Sequence, residues 1–261
     1  MICSLRYLDD ERAVFPQQLI AHRGYSRQFP ENTLLAFEQA LAAGALALEA
    51  DLQLSADGVG FIFHDRELQR LCGVAGRLEQ KSAAEVARLS AYAPEQFGRR
   101  FRGEPLLSLA RLLALLDAAP AVTLYLEIKR VSLKGVGVAE LLDRLWAQLW
   151  PRRAQIVLIS FSLPVLEAAR ARGWPRVAPV LTQWCQLRRS STRKLQPACV
   201  FLNHLRMPFA ACYPDLPYPL ALYETSNPQQ ALQLLERGAS LIETDDIGLL
   251  LGRPCREGRR A

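Results

Sequence analysis

Short runs of branched apolar residues recur along the chain, separated by longer stretches whose apolar positions follow a helical period. The runs cover Leu19–His22, Leu46–Gln53, Val59–His64, Val122–Ile128, Ile156–Ser160, Val177–Leu181, Val200–Asn203, Leu220–Tyr223 and Leu241–Thr244. Amphipathic stretches lie between many of them, at Thr33–Ala43, Leu107–Ala118, Val138–Leu149, Pro164–Arg172 and Pro228–Gly238, with Gly or Pro at several ends. This alternation predicts an α/β fold, with parallel strands covered by helices. Nine candidate strands are one more than an eight-stranded barrel holds. One is therefore a misassigned run, an extra strand, or a hairpin partner turning at Asp57-Gly58. Residues 65–105 contain no convincing strand and read as an insertion after the third strand segment; in barrels such loops sit over the active-site end. The tail 252–261, rich in arginine, reads as flexible. With no repeat, linker or low-complexity block, 1–261 reads as one domain.

Composition narrows the class. Of 261 residues, 50% are apolar and 22% charged, which excludes disorder for most of the chain. No apolar run approaches the roughly 18–20 residues needed to span a bilayer, so integral membrane association is not expected. Residues 1–18 carry charges with no apolar stretch between them, which favours a cytoplasmic protein over a secreted one. The six cysteines, Cys3, Cys72, Cys185, Cys199, Cys212 and Cys255, are singly placed and read as reduced thiols, mostly buried. The charge balance, 32 − 26 = +6, suits an anionic substrate. Basic clusters such as Arg99, Arg100 and Arg102 read as solvated surface, since no aromatic platform is interleaved with them to support nucleic-acid binding.

The chemistry sits at the ends of the apolar runs. The first ends His22-Arg23-Gly24, the second contains Glu49 and Asp51, the third ends His64-Asp65, and the fourth ends Glu127-Ile128-Lys129. Acids and bases are rare in buried strands unless paired or functional. Residues two apart on a strand face the same way, so Glu49 and Asp51 aim two carboxylates at one place, which calls for a cation. Glu127 completes an all-oxygen set suited to Mg²⁺ or Ca²⁺, while zinc is disfavoured by the lack of cysteine ligand spacing. Taken singly, each acid is as readily a helix cap or a surface ion pair. Jointly they converge on a cation. His22 and His64 titrate near neutrality and can serve as general acid and base on a phosphorus centre, with either order of roles open. Arg23 and Lys129 are cations suited to phosphate oxygens. Together these residues describe a metal-assisted phosphodiester site.

The string Ile20-Ala21-His22-Arg23-Gly24, followed by Glu31-Asn32-Thr33, Glu49-Ala50-Asp51, Asp57-Gly58, His64-Asp65 and Glu127-Ile128-Lys129, resembles the glycerophosphodiester phosphodiesterase family. The likeness continues more loosely through Ser160-Phe161 and Thr244-Asp245. It implies a TIM-type (β/α)8 barrel with an inserted cap, acting on a small-molecule glycerophosphodiester to release glycerol 3-phosphate and an alcohol. Carried over by position, His22 and His64 become the acid/base pair, Glu49, Asp51 and Glu127 the metal ligands, and Arg23 and Lys129 the phosphate-binding residues. Glu31 and Asn32 order the first loop, Asn32 also capping the helix that begins near Thr33. One departure stands out: where the family shows a tryptophan, this chain has Glu224, read either as a contact for a cationic headgroup or as a solvated or salt-bridged acid. Lysophospholipid cleavage at the same site and a noncatalytic barrel that binds a phosphorylated metabolite are the competing readings. Oligomeric state stays open.

Overall fold

The structure, a computed structural model, describes residues 14–208 and 216–253. The expectations for the tail from residue 254, for most of the first 18 residues, and for Cys3, Cys212 and Cys255 lie outside the described residues. The strands are β1 (Leu19–His22), β2 (Ala47–Leu54), β3 (Gly60–Ile62), β4 (Thr123–Ile128), β5 (Ile156–Ser160), β6 (Val177–Leu181), β7 (Val200–Asn203), β8 (Leu220–Tyr223) and β9 (Leu241–Thr244). Their order, β1-β9-β8-β7-β6-β5-β4-β2-β3 with an added β1–β2 pairing, closes eight parallel strands into a barrel. This is the expected (β/α)8 architecture. The surplus strand is β3, which turns back at Asp57-Gly58 and pairs antiparallel with the end of β2, Leu54 opposite Gly60 and Leu52 opposite Ile62.

Alternate residues of the strands fill two separate cores. Ile20, Tyr125, Val157, Val180, Phe201 and Ala221 point into the barrel, where Tyr125 and Phe201 meet edge-to-face with centroids 5.4 Å apart. The opposite faces, including Leu19, Leu48, Leu124 and Leu158, pack against the surrounding helices. Thr33 caps the helix Leu34–Ala43 by accepting from the Ala36 amide, and Ser108 caps Leu109–Ala118 through the Arg111 amide. The expected Asn32 cap is thus corrected: the cap falls one residue later, on Thr33. Non-helical backbone at Gly137 divides the span Arg130–Leu149 into two helical segments, and the second is the expected Val138–Leu149. Trp146, Trp150 and Trp174 form one packed group against the barrel, with Trp146 and Trp150 stacked at 5.3 Å.

The insertion has no strand among its described elements. Short helices at Gln69–Cys72, Ala83–Val86 and Pro94–Phe97 gather around their own small core of Phe63, Leu68, Leu71, Cys72, Leu78 and Val86. That core rests on Phe61 of β3, so the hairpin ties the insertion to the end of β2. Among the described residues no helix is long and apolar enough to cross a membrane.

The cysteines differ sharply in environment. Burial pushes the Cys72 and Cys199 thiols up to about 12, while Cys185 is exposed. Because the thiolate is the reactive species, brief alkylation of the native protein near pH ~8 is expected to modify Cys185 and spare Cys72 and Cys199. Peptide mapping of the alkylated chain checks this, and equal labelling of all three would contradict the packing described.

Candidate active site

The site is assembled at the carboxyl ends of the barrel strands, and local backbone conformation explains why. After His22 the chain must turn immediately, and it does so with Arg23 at φ +56° and Gly24 at φ +85°. A Cβ on Gly24 would lie 2.6 Å from the Ala36 backbone, so glycine alone fits between the strand end and the helix Leu34–Ala43. The turn brings the Arg23 amide to Glu49, donating to its Oε2 at 3.2 Å. Asn32, also left-handed at φ +57°, donates from Nδ2 to Asp51 Oδ2 at 2.9 Å. Its side chain is therefore spent on the site.

Glu49, Asp51 and Glu127 are buried, and each offers an oxygen within 4.8 Å of the others'. The register makes this inevitable, because Asp51 lies opposite Glu127 across the β2–β4 ladder. Lys129, two residues beyond Glu127, places Nζ 3.1 Å from both Asp51 Oδ1 and Glu127 Oε1. Arg23 Nε lies 3.0 Å from Asp51 Oδ2, and its Nη1 donates to Glu31 Oε1 at 3.1 Å. Although burial opposes it, the Lys129 and Arg23 charges hold the Asp51 carboxyl well below the usual range. Glu49 goes the other way: burial, then the charges of Asp51 and Glu243, raise it well above. Burial raises Glu127 as well, with Asp51 adding to it. Buried acids that resist ionising side by side, in an all-oxygen set, fit a hard divalent cation.

The two histidines arrive by different routes. His22 ends β1, and its Nδ1 lies 2.7 Å from Asp245 Oδ1 and 2.9 Å from Glu224 Oε2. Burial works against its protonation, but the charge of Glu243 and the bonds to Asp245 and Glu224 outweigh it and raise the imidazole well above its ordinary value. His64 does not end a barrel strand. The antiparallel hairpin carries it back beside β2, where the Phe63 amide donates to the Asp51 carbonyl at 2.7 Å. Its Nδ1 is held by Asp65 Oδ1 at 2.8 Å. Arg70 grips Asp65 through Nε at 2.6 Å and Glu31 through both terminal nitrogens at 2.7 Å, so the insertion is clamped to the first loop.

His22, Arg23, Glu49, His64, Glu127 and Lys129 line one cavity of about 220 Å³, whose far wall is formed by apolar side chains including Val180 and Phe201. Asp51, 1% exposed, is held by Lys129 and Arg23 of that lining. The structure thus brings all seven residues singled out from the sequence to one place. Glu224 is a partner of His22, with half of its side chain still exposed, and its bond to His22 lowers its pKa. His204 turns its Nε2 to the Glu224 carbonyl at 3.1 Å. Two acids of β9 and its end were passed over as site residues. Asp245 fixes His22, and Glu243 is buried in the cavity wall with its carboxyl pushed up to about 7, chiefly by burial. The i, i+2 spacing that singled out Glu49 and Asp51 recurs in Glu243 and Asp245 and would have found both.

The family model described as the glycerophosphoryl diester phosphodiesterase family matches residues 22–197, and the chain belongs to that family. Its structure is similar to an Oleispira antarctica phosphodiesterase solved in complex with the product sn-glycerol-3-phosphate, with a TM-score of 0.77, 25% identity, and 90% of this chain and 96% of that one covered. It also shares its fold, at a TM-score of 0.77 and 23% identity, with a protein from Silicibacter pomeroyi, covering 92% of each chain. Among curated proteins, a glycerophosphodiester phosphodiesterase of Caldanaerobacter subterraneus is 36% identical over 98 residues, 38% of this chain and 40% of that protein. A Bacillus subtilis protein is 43% identical over 76 residues, 29% of this chain and 31% of that one. The chain spans well under two thirds of the length of these curated relatives.

Proposed function

We propose that this protein is a cation-dependent phosphodiesterase that hydrolyses glycerophosphodiesters, such as glycerophosphocholine or glycerophosphoethanolamine, to sn-glycerol 3-phosphate and an alcohol. The observation that carries this reading is the meeting of two histidines, three buried carboxylates and two cations on a single cavity. Phosphate binding alone does not require that set. The product-bound relative from Oleispira antarctica supports it further.

In this reading Arg23 and Lys129 hold the phosphoryl oxygens and offset the charge that builds on them. Glu49, Asp51 and Glu127 would hold Mg²⁺ or Ca²⁺, which would supply further positive charge there and lower the pKa of a hydroxyl. One histidine removes the proton of the attacking hydroxyl, and the other protonates the leaving alkoxide. Asp245 and Glu224 orient His22, and Asp65, itself braced by Arg70, orients His64. Release of sn-glycerol 3-phosphate from the two diesters, with Mg²⁺, Ca²⁺ or EDTA, tests the assignment. Cation-dependent release is expected; folded protein that releases none with any cation rejects it.

Cation binding also has a stability signature. A ligand that binds only the folded state at about 100 times its Kd adds about 2.7 kcal/mol to the unfolding free energy. Urea unfolding is therefore expected to shift to higher midpoint with Mg²⁺ or Ca²⁺ and back with EDTA. Glu49→Ala and Glu127→Ala should lose both this shift and turnover. A midpoint indifferent to every cation, with full turnover in EDTA, would sink the carboxylate assignment.

A wider groove of about 640 Å³ opens beside His64 and Lys129 along Val131 and Phe161. It favours a second reading, in which the alcohol side accepts the larger, acylated substrates of a lysophospholipid-cleaving enzyme. Release of choline from lysophosphatidylcholine in place of glycerophosphocholine would select it.

A further inference from the structure

Glu243 is the one carboxylate lining the cavity whose oxygens have no hydrogen bond or ion pair among the described residues. Its neighbours all have partners: Glu49 the Arg23 amide, Glu127 the Lys129 ammonium, and Glu224 the His22 ring. Glu243 is 4% exposed, points into the barrel from β9, and has a carboxylate oxygen within 4.8 Å of a ring nitrogen of His22 and an oxygen of Glu49. Its backbone is accounted for, since the carbonyl accepts from the Thr225 amide at 3.1 Å.

A carboxyl so little exposed and without a protein donor is rare in a barrel interior, and the oxygens of Glu243 open onto the cavity. Packing does not explain this one. Interior positions of the flanking strands hold Ile20 and Ala221, and an apolar side chain would complete the same layer. The missing donors therefore come from what enters the cavity. Arg23, Lys129 and the carboxylate triad occupy the side that suits a phosphate, and the wall beside Glu243 includes Phe201 and Tyr223, which suit a short carbon chain. A second anionic group would be set against the carboxyl groups of Glu49 and Glu243, and a cationic one against Arg23 and the His22 ring. Uncharged donors on a short chain next to a phosphate are hydroxyl groups.

We propose that Glu243 is a specificity-determining residue whose carboxyl oxygens accept hydrogen bonds from the hydroxyls of the glycerol half of the substrate, making the cavity selective for small polyol phosphates. The proposal rests on the glycerophosphodiesterase reading above and adds the group that tells glycerol from an unsubstituted three-carbon chain. It also makes Glu243 a position where folding stability is given up for recognition.

The test is equilibrium binding to the full chain of three probes: sn-glycerol 3-phosphate, n-propyl phosphate, which keeps the chain and lacks the hydroxyls, and inorganic phosphate. Wild type is expected to prefer glycerol 3-phosphate over n-propyl phosphate by about 10- to 100-fold, the range for two hydrogen bonds to one carboxyl group. Glu243→Leu should abolish most of that preference, leave the other two affinities within about twofold, and raise Tm; Glu243→Gln, which keeps one acceptor oxygen, should retain part of the preference and serves where the leucine variant does not fold. An unchanged preference overturns the proposal. So does equal weakening of all three probes, the mark of a residue that merely positions His22, and so does a wild type that binds none of them. A wild type that shows the preference but hydrolyses no glycerophosphodiester would leave this assignment standing and reject the catalytic one.

Discussion

Replacing His22 by alanine lowers kcat/KM for glycerophosphodiesters by about 10²- to 10⁴-fold, the usual contribution of a positioned acid or base. The expectation follows from how the ring is held. Its Nδ1 is engaged by Asp245 at 2.7 Å and Glu224 at 2.9 Å, while the residue lines the cavity shared with His64. His64→Ala should cost a similar factor, and the double variant little more than the worse single one, because groups that act on one proton-transfer sequence are not additive. Steady-state release of sn-glycerol 3-phosphate by the three variants, each checked for native circular dichroism, decides the matter. A folded His22→Ala enzyme within about threefold of wild type would remove His22 from the chemistry.

Asp51→Ala is expected to lower the unfolding free energy, measured by urea in EDTA, by about 3 kcal/mol. Removing one partner from a buried charge cluster commonly costs ~3–5 kcal/mol, because the remaining charges stay buried without compensation. Asp51 faces Lys129 at 3.1 Å, Arg23 at 3.0 Å and the Asn32 amide at 2.9 Å, with 1% of its own side chain exposed. The low end of the range is expected because Glu127 still meets Lys129 and Glu31 still meets Arg23. The pH dependence has a definite sign. A carboxyl whose folded pKa lies below its unfolded value of about 3.9 stabilises above that value and loses the contribution as pH falls through the folded one. Asp51 is such a group. The part of the gap that comes from Asp51's own ionisation should therefore be lost only in strong acid, while the release of Glu49 and Glu127, which Asp51 pushes up, should narrow the gap as the pH rises through their range. A loss under about 1 kcal/mol at neutral pH would mean that the cluster rearranges freely.

Much of the barrel is legible along the chain. Six apolar runs, from Ile156–Ser160 to Leu241–Thr244 together with Leu19–His22, coincide to the residue with strands. A parallel strand buried on both faces has to be a short, continuous apolar run, and loop residues bound it. Helix starts were less legible, since Asn32 and Thr33 are both good caps by residue type. The choice fell to Thr33 because Asp51, distant in sequence, takes the Asn32 amide.

The sequence by itself determined which residue types could do phosphodiester chemistry and that Glu49 and Asp51 share a face, because side-chain alternation along a strand is a local property. The reason for Gly24, by contrast, is tertiary, since it lies in the close approach of Ala36 from the following helix. Only the tertiary structure decided that the third run is an antiparallel return carrying His64 to Asp51, that Arg70 clamps the insertion to Glu31, and that Glu224 and Asp245 share His22. It alone left Glu243 buried on the cavity wall with no hydrogen bond or ion pair among the described residues. Pairing between strands, and the burial that makes a lone carboxyl costly, depend on which distant segments close the barrel, and no periodicity within one segment carries that information.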